Sequence, residues 1–306
     1  MAAASRDWRG LFSAETSGWF SRRFGAPTEI QSRAWPLIAA GGHVLLTAPT
    51  GSGKTLTAFL WGLDSLLTGR WEPGRLRVLY VSPLKALNND IRDNLTRPLA
   101  ELRHVFAHAG RPTPGIGVMV RSGDTPQSER QRMWRRPPEI LVTTPESLSL
   151  LLLSQPAPLF FSGLRTVIVD EVHALFASRR GVQLAASLEW LTRYAGEFQR
   201  VALSATVRPL SEVGAFVGGY LDGVARPVSL VSGSGGKRYE LSVALAGEAD
   251  DAGRDDASHW GAVASRVRRE MSGGGSTLVF CNGRASCEKL SRWVNGEGFS
   301  SGRCEI

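Results

Sequence analysis

The segment TAPTGSGKT at residues 47–55 has the residue types and spacing of a loop that binds nucleotide phosphates. It follows the apolar run HVLLTA and precedes the helix-like stretch LTAFLWGLDSLL. A glycine-rich turn between a strand and a helix points backbone N–H groups at phosphate oxygens, with the positive end of the helix dipole behind them. Lys54 would bind the β and γ phosphates, and the Thr55 hydroxyl would bind Mg²⁺. Ala48 replaces the first glycine of the general pattern, and an ordinary strand-to-helix turn is the alternative. The predicted phosphate loop comprises Thr50, Gly51, Ser52, Gly53, Lys54 and Thr55.

Two adjacent carboxylates end a second apolar run, VIVDEVH at residues 167–173. An Asp at a strand end can bind the Mg²⁺ that bridges phosphates, and a neighbouring Glu can orient the attacking water or accept its proton. Asp170 and Glu171 fit these roles, with Lys54 as their catalytic partner. Alone, such a pair is more often a turn or a helix N-terminus. Together with the phosphate loop, it predicts hydrolysis of a nucleoside triphosphate such as ATP.

These residues require a parallel sheet to position them. Short apolar runs alternate with helix-like segments, and each run ends in a turn signal, which is typical of strands covered by helices on both faces. Ligands of such sheets bind at the carboxyl ends of the strands. The sequence therefore predicts an α/β fold of the P-loop NTPase kind. The predicted strands are HVLLTAP, LRVLYVSP, GIGVMV, EILVTTP, RTVIVDE and QRVALSAT.

The composition is that of a globular chain without a membrane span or an apolar secretory signal, which predicts a cytoplasmic location. Lys and Arg number 36 against 28 Asp and Glu, giving a formal charge of +8. This balance favours a polyanionic partner, although a GC-rich genome would also enrich arginine. The odd number of cysteines and their spacing argue against a disulfide framework or a metal site. They are Cys281, Cys287 and Cys304.

The pattern changes near residue 230, where glycine-rich and polar stretches indicate flexible connections. We predict a nucleotide-binding domain over residues 1–230, a linker region over 231–275, and the start of a further domain over 276–306. Within the last two regions KRYELSVAL and STLVFCN predict strands, and Trp260, Val263, Val267 and Met271 have helical spacing. A second helix is predicted from Arg284 to Val294. One strand and one helix cannot bury enough apolar surface to form a domain alone.

The motif DEVH at 170–173, followed by LSATV at 203–207, resembles the second and third motifs of superfamily-two helicases. The resemblance implies a RecA-like fold, and it implies that Ser204, Ala205 and Thr206 couple hydrolysis to movement on nucleic acid. His173 would join hydrolysis to the neighbouring domain. Without the resemblance, LSAT is a buried strand end and a lone His is more often structural. The segment FGAPTEIQSRAWPLIAAG at 24–41 is similar to the one that reads adenine in these helicases, with Gln31 as the reader.

Three further segments resemble loops that hold a nucleic-acid backbone: VSPLKALNND at 81–90, RSGDT at 121–125 and TTPESL at 143–148. Their polar or cationic residues follow strand ends, where a phosphate chain crossing the sheet would meet them. The prolines could instead end strands, and the glutamate could cap a helix. In ERQRMWRRPP at 129–138, arginines surround Trp134, which suits either nucleic-acid contact or a solvated helix face. The candidate contacts are Pro83, Lys85, Arg121, Gly123, Thr125, Thr144, Pro145 and Glu146.

The sequence motifs SPLKAL, GDT, TTPESL and DEVHAL, and their order, resemble those of the large helicase-related (Lhr) family. The resemblance covers residues 8 to about 230 and continues through STLVFCNGR. The resemblance implies an ATP- and Mg²⁺-dependent helicase that moves on single-stranded DNA and serves DNA repair. The expected partner is single-stranded DNA or a DNA-containing duplex. An RNA helicase and a non-catalytic ATP- and nucleic-acid-binding module are the alternatives. The resemblance also implies that residues 276–306 begin an incomplete second RecA-like domain. Since that domain supplies arginines to the γ-phosphate, we expect slow hydrolysis from this chain alone.

Overall fold

A computed structural model gives the structure of the chain and describes residues 7–83, 92–205, 207–233, 240–245, 256–273 and 276–296. The chain divides into two compact units, Met1–Gly236 and Lys237–Ile306. The first unit holds a seven-stranded sheet and the helices that cover it. It also contains the candidate phosphate loop and both candidate acidic residues.

All six predicted runs form strands, and every pairing in the large sheet is parallel. The strand order is β3-β4-β2-β5-β6-β1-β9. Strand β9 was not predicted and pairs with β1 at the sheet edge, while β7 and β8 form a separate antiparallel pair. The strands are β1 (His43–Thr47), β2 (Val78–Val81), β3 (Val118–Arg121), β4 (Ile140–Thr143), β5 (Thr166–Val169), β6 (Gln199–Ser204), β7 (Tyr220–Leu221), β8 (Val224–Ala225) and β9 (Val228–Ser232).

Helices cover both faces of the sheet, as the continuous apolar runs predict. Successive strand residues contribute to two separate cores: Val44 and Leu46 join one, and Leu45 joins the other. Helices α1 to α4 contribute to the first core and α5 to α10 to the second. In the first unit they are α1 (Ala14–Phe24), α2 (Glu29–Ala39), α3 (Lys54–Leu67), α4 (Arg97–His108), α5 (Gln127–Arg135), α6 (Pro145–Leu152), α7 (Ala157–Phe161), α8 (Val172–Leu175), α9 (Arg179–Ala195) and α10 (Leu210–Gly218).

The parallel strands bring the candidate residues that follow them, as far as the structure describes these residues, to one edge of the sheet. Because every strand runs the same way, the loops that leave their carboxyl ends lie side by side. We call the ends of β5, β6 and β1 the nucleotide side of this edge. The ends of β3, β4 and β2 form its loop side. These two sides contain different chemistry, as described below.

The second unit contains two helices in its described residues, α11 (Asp256–Met271) and α12 (Arg284–Val294). They pack through Ala264, Leu290 and Val294, with the residues of predicted helical spacing around them. The predicted boundary at residue 230 falls within β9, and α11 occupies part of the predicted linker. Among the described helices, none has both the length and the apolar character that a membrane span requires.

The two strands predicted for the second unit are wrong as far as the structure describes them. Residues 240–245 and 276–282 form no strand, while residues 237–239 lie outside the described residues. A strand needs a neighbour to accept and donate its ladder hydrogen bonds, and none of the described residues pairs with these segments. Their apolar side chains are accordingly exposed, at 91% for Leu241 and 85% for Phe280.

Candidate ATP and nucleic-acid site

The candidate phosphate loop joins β1 to α3 in a conformation that depends on glycine. Gly53 is the N-cap of α3 and has a φ of 82°, in the left-handed region that side chains disfavour. A Cβ added to Gly53 would lie 2.9 Å from Gln31 Nε2. Glycine at this position therefore allows the start of α2 to lie directly against the loop.

Gln31 is fixed by the start of its own helix. Its Oε1 accepts a hydrogen bond of 2.9 Å from the backbone N of Thr28, which completes a capping box at the N-terminus of α2. The Thr28 hydroxyl donates to the Ser52 carbonyl at 3.3 Å, so the same turn also holds the phosphate loop. The Gln31 side chain is buried beside that loop with its amide nitrogen towards Gly53.

Lys54 lies over the phosphate loop and faces the acidic pair. Its Nζ donates to the carbonyls of Ala48 and Pro49, at 2.8 Å for Pro49. Burial holds the pKa of Lys54 below its ordinary value, while the charges of Glu171 and Asp170 act in the opposite direction. In the same loop the Ser52 hydroxyl oxygen is buried with no hydrogen-bond partner among the described residues.

Asp170 is the first residue after β5, and both of its carboxylate oxygens accept hydrogen bonds. Its backbone N donates to the Val81 carbonyl at 2.8 Å, which continues the β2–β5 ladder. Oδ1 accepts from the backbone N of Glu171 at 2.8 Å, and Oδ2 accepts from the Tyr80 hydroxyl. Tyr80 was not identified from the sequence, because a tyrosine within an apolar strand carries no sign of a partner 90 residues away.

Glu171 has a φ of 49° and a ψ of 44°, the left-handed conformation, as the N-cap of the short helix α8. This conformation is unfavourable for a side chain with a Cβ. It places the carboxylate close to His173, with Glu171 Oε2 at 3.3 Å from His173 Nδ1. Residues held in such sparsely populated conformations are concentrated at functional sites.

His173 connects the end of β5 with the end of β6. Its Nδ1 accepts a hydrogen bond of 3.3 Å from the backbone N of Ala205, and the Ser204 hydroxyl oxygen lies 3.3 Å from the same nitrogen. The structure therefore brings together three of the four residues assigned to coupling. Thr206, the fourth, lies outside the described residues.

On the loop side, the segment after β3 is held mainly by its own side chains. Arg121 is buried, its Nη1 donates to the Ser122 carbonyl, and its Nε has no partner among the described residues. Burial holds the pKa of Arg121 below its ordinary value, and the charge of Arg130 adds to the effect. The Thr125 hydroxyl accepts from Ser122 N at 2.9 Å. Only Gly123 of the three predicted contacts here is exposed.

Arg130 of α5 fixes the shape of this segment. Its Nε donates to the Thr125 carbonyl at 2.7 Å, and its Nη2 donates to the Gly123 carbonyl at 2.8 Å. The nearby Trp134 packs edge-on against Phe160 with ring centroids 4.8 Å apart, which favours a packing role over base stacking. The exposed arginines of ERQRMWRRPP are Arg132, Arg135 and Arg136.

The segment after β4 begins helix α6. Thr144 is its N-cap and accepts from Ser147 N at 3.3 Å, and Pro145 occupies the first turn. Glu146, in the first turn of the helix, forms an ion pair with Arg180 of α9. That hydrogen-bonded pair holds the pKa of Glu146 below its ordinary value.

Arg180 joins the two remaining segments of the loop side. Its Nη2 donates to the Pro83 carbonyl at 2.9 Å while the same guanidinium contacts Glu146. Sequence reasoning missed Arg180, since nothing in SRRG indicates partners 34 and 97 residues away. Lys85, predicted to contact nucleic acid just beyond Pro83, lies outside the described residues.

The oxygen groups of the nucleotide side suit a hard cation better than a transition metal. No group of three or more His, Cys, Asp and Glu side chains in the described parts of the chain could hold a metal ion. Mg²⁺ in nucleotide sites commonly has only one or two protein ligands and takes the rest from phosphates and water. Thr55, at the start of α3, and Asp170 are oxygen donors of that kind.

Comparison with protein families matches residues 28–213 to the DEAD/DEAH box helicase model. The chain is 44% identical to a Lhr helicase of Mycolicibacterium smegmatis over 96% of this chain and 19% of the relative. It is 40% identical to the Lhr helicase/uracil glycosylase of Escherichia coli, over 93% of this chain and 20% of the relative. The chain thus spans about one fifth of the length of these two relatives.

Among solved structures, the chain is similar to that of Mycobacterium smegmatis helicase Lhr bound to ssDNA and AMP-PNP. The TM-score is 0.81 and the identity 45%, over 95% of this chain and 36% of the other. A structure of the helicase MrfA bound to DNA and AMPPNP matches with a TM-score of 0.72 at 21% identity. At that identity the second match shows the shared fold alone.

Proposed function

The chain belongs to the DEAD/DEAH box helicase family, and we propose that it forms the ATP-binding part of an ATP-dependent DNA helicase of the Lhr type. The predicted resemblance to Lhr proteins and the RecA-like fold are confirmed. One observation supports the proposal most directly: His173 contacts both Glu171 of the acidic pair and the Ser204–Ala205 segment. A group that touches both motifs can transmit the state of the nucleotide to the rest of the protein.

ATP would bind at the phosphate loop, with backbone N–H groups of residues 50–53 and the start of α3 facing the phosphates. Lys54 would exchange the carbonyls of Ala48 and Pro49 for the β and γ phosphates. Gln31 would face the adenine base, from its position against Gly53. AMP-PNP in the structure of the Mycobacterium smegmatis relative supports this nucleotide.

Mg²⁺ fits the oxygen groups of Thr55 and Asp170, and these two residues would hold it. When bound, the ion would offset charge that develops on the phosphate oxygens. Glu171, fixed in its left-handed conformation, would orient the attacking water and accept its proton. The effect of hydrolysis would then pass to the rest of the protein through His173, Ser204, Ala205 and Thr206.

Single-stranded DNA would cross the loop side of the sheet edge. Its partners would be Pro83, Lys85, Arg121, Gly123, Thr125, Thr144, Pro145 and Glu146. Because the Thr125 and Thr144 hydroxyls are engaged within their own segments, these loops would contact phosphates mainly through backbone N–H groups and exposed edges. We favour DNA over RNA because ssDNA is the strand bound in the 45% identical Lhr structure. A role in DNA repair and a cytoplasmic location belong to the same proposal.

The test measures the affinity of the chain for ATP, with and without Lys54→Ala, and its affinity for single-stranded DNA and RNA. Hydrogen bonds to charged groups are worth about 1.5 to 3 kcal/mol each, so ATP affinity should fall about ten- to hundred-fold. Calorimetry measures it, with Lys289→Ala of α12 as the matched control. Equal ATP affinity in Lys54→Ala and the control would contradict the nucleotide assignment. Tighter binding of RNA than of DNA of the same sequence would favour an RNA helicase.

A further inference from the structure

Tyr80 occupies a buried position between the phosphate-loop helix and the acidic pair. Only 1% of its surface is exposed, and its ring stacks on Phe59 of α3 with centroids 5.1 Å apart and planes 25° from parallel. Phe59 lies in the second turn of the helix that starts at Lys54. The tyrosine is thus packed against the helix that supports the phosphate loop.

The register of the sheet directs Tyr80 towards Asp170. In the β2–β5 ladder Tyr80 pairs with Ile168, and both belong to the core on the α3 face. Side chains two residues apart on a strand share a face, so Asp170 continues the Ile168 side just beyond the ladder. The Tyr80 hydroxyl reaches this carboxylate and donates to Oδ2.

Two donors among the described residues hold the Asp170 carboxylate in one orientation. Tyr80 binds Oδ2 and the Glu171 backbone N binds Oδ1, so rotation of the carboxylate would break both hydrogen bonds. Each carboxylate oxygen has about two lone-pair sites, which leaves acceptor capacity for a cation or its water. A phenylalanine at position 80 would keep the stacking on Phe59 and remove the hydrogen bond that orients Asp170.

We propose that Tyr80 is a positioning residue for Asp170 and sets how strongly the site prefers Mg²⁺-bound nucleotide over free nucleotide. This inference rests on the proposed ATP site. Partners that orient metal ligands typically change metal affinity about 10- to 100-fold when they are removed. Because Asp170 would share Mg²⁺ with Thr55 and the phosphates, we expect the lower end of that range for Tyr80→Phe.

The test titrates Mg²⁺ at fixed concentration of a fluorescent ATP analogue and records binding to the 306-residue chain. Tyr80→Phe should raise the Mg²⁺ concentration for half-saturation about ten-fold and leave nucleotide binding in EDTA unchanged. Tyr194→Phe is the matched control, because the Tyr194 hydroxyl donates to the Leu152 carbonyl, within the core on the other face of the sheet. Its half-saturation should equal that of the wild type.

A second measurement uses Asp170→Asn. It distinguishes a specific effect on Asp170 from a general loss of stability in Tyr80→Phe. The Tyr80→Phe effect on Mg²⁺ should disappear in the Asp170→Asn background, because the two residues act through one carboxylate. An equal Mg²⁺ requirement in Tyr80→Phe and wild type would overturn the inference, as would an effect that persists at full size beside Asp170→Asn. A wild-type chain that binds no ATP would instead overturn the proposed function itself.

Discussion

The two sides of the sheet edge use their polar residues in different ways. On the nucleotide side, Lys54, Asp170 and Glu171 face one another, and Ser52 has a buried hydroxyl with no partner among the described residues. On the loop side, Thr125 and Thr144 are bonded within their own segments, which Arg130 and Arg180 hold in shape. Under the proposed function, ATP chemistry would depend on individual side chains, whereas binding of the single strand would depend on the shape of the loops. Substitutions should therefore have large effects on the first side and small effects on the second.

The largest effect is expected from Glu171→Gln, which keeps the size of the side chain and removes the proton acceptor. General-base catalysis contributes about 10²- to 10⁴-fold, so ATP turnover should fall by that factor while ATP affinity is retained. Release of inorganic phosphate, followed over hours with a single-stranded oligonucleotide present, measures the rate. Glu212→Gln, an exposed acid in the first turn of α10, is the control. Undiminished ATP turnover in Glu171→Gln would show that the nucleotide side does not depend on this individual side chain.

A moderate effect is expected from Arg180→Ala, which releases the Pro83 carbonyl and Glu146 together. Ordering a freed segment costs about 0.5 to 1.5 kcal/mol per immobilised side chain, so affinity for single-stranded DNA should fall about two- to ten-fold. Fluorescence anisotropy measures it, and ATP affinity should not change. Arg179→Ala, at the exposed neighbouring position, is the matched control. Equal DNA affinity in Arg180→Ala and Arg179→Ala would show that DNA binding does not depend on the shape of these loops.

A smaller effect is expected from Lys85→Ala, whose charge follows directly from the sequence. The logarithm of affinity for a single strand should fall linearly with the logarithm of salt concentration, at about −0.7 per phosphate contact. Lys85→Ala should make that slope shallower by about one contact, whereas Thr144→Val should leave it unchanged. Anisotropy titrations over a series of salt concentrations measure both slopes. A shallower slope in Thr144→Val would mean that its hydroxyl contacts phosphate directly.

The smallest effect is expected from Glu146→Gln on stability. Arg180 lowers the folded-state pKa of Glu146, so the stabilisation is present above the unfolded-state pKa, about 4.3. It is lost as the pH falls through the folded-state value. Exposed pairs contribute about 0.2 to 1 kcal/mol, so Glu146→Gln should melt about 1 to 3 °C below wild type at pH 7. Melting curves recorded down to pH 3 should show the difference shrinking. A difference that stays constant with pH would mean that the ionised pair is not its source.

The sheet was largely predictable from sequence because its strands are covered on both faces. Short continuous apolar runs such as LRVLYV and TVIV are typical of strands buried on both faces. Each of these runs contains a strand of the sheet. Strand β9 was missed because VSLVS alternates and lies at the edge, where the run is short and less buried. The runs KRYELSVAL and STLVFCN show the limit of the method. Their residues favour a strand, but a strand forms only where another strand pairs with it.

The candidate site was predictable where a local pattern carries the chemistry and unpredictable where a distant contact does. The geometry of Lys54 beside Asp170 and Glu171 follows from strand order, since β1 and β5 flank β6. Arg180 and Tyr80 contribute through hydrogen bonds to residues far along the chain. In the sequence, Arg180 cannot be distinguished from any other arginine at the start of a helix. Tyr80 likewise cannot be distinguished from any other aromatic residue in a strand.

The left-handed conformation of Glu171 sets the stability of the fold against the catalytic role proposed for this residue. A backbone with positive φ is adopted most readily by glycine, and next by asparagine. Glycine would relax the turn between β5 and α8, and it would leave no carboxylate beside the phosphates. The sequence therefore retains at position 171 a residue that its own backbone disfavours. A search for stabilising substitutions in this chain would choose that position early, and each success there would yield a more stable protein without the proposed proton acceptor.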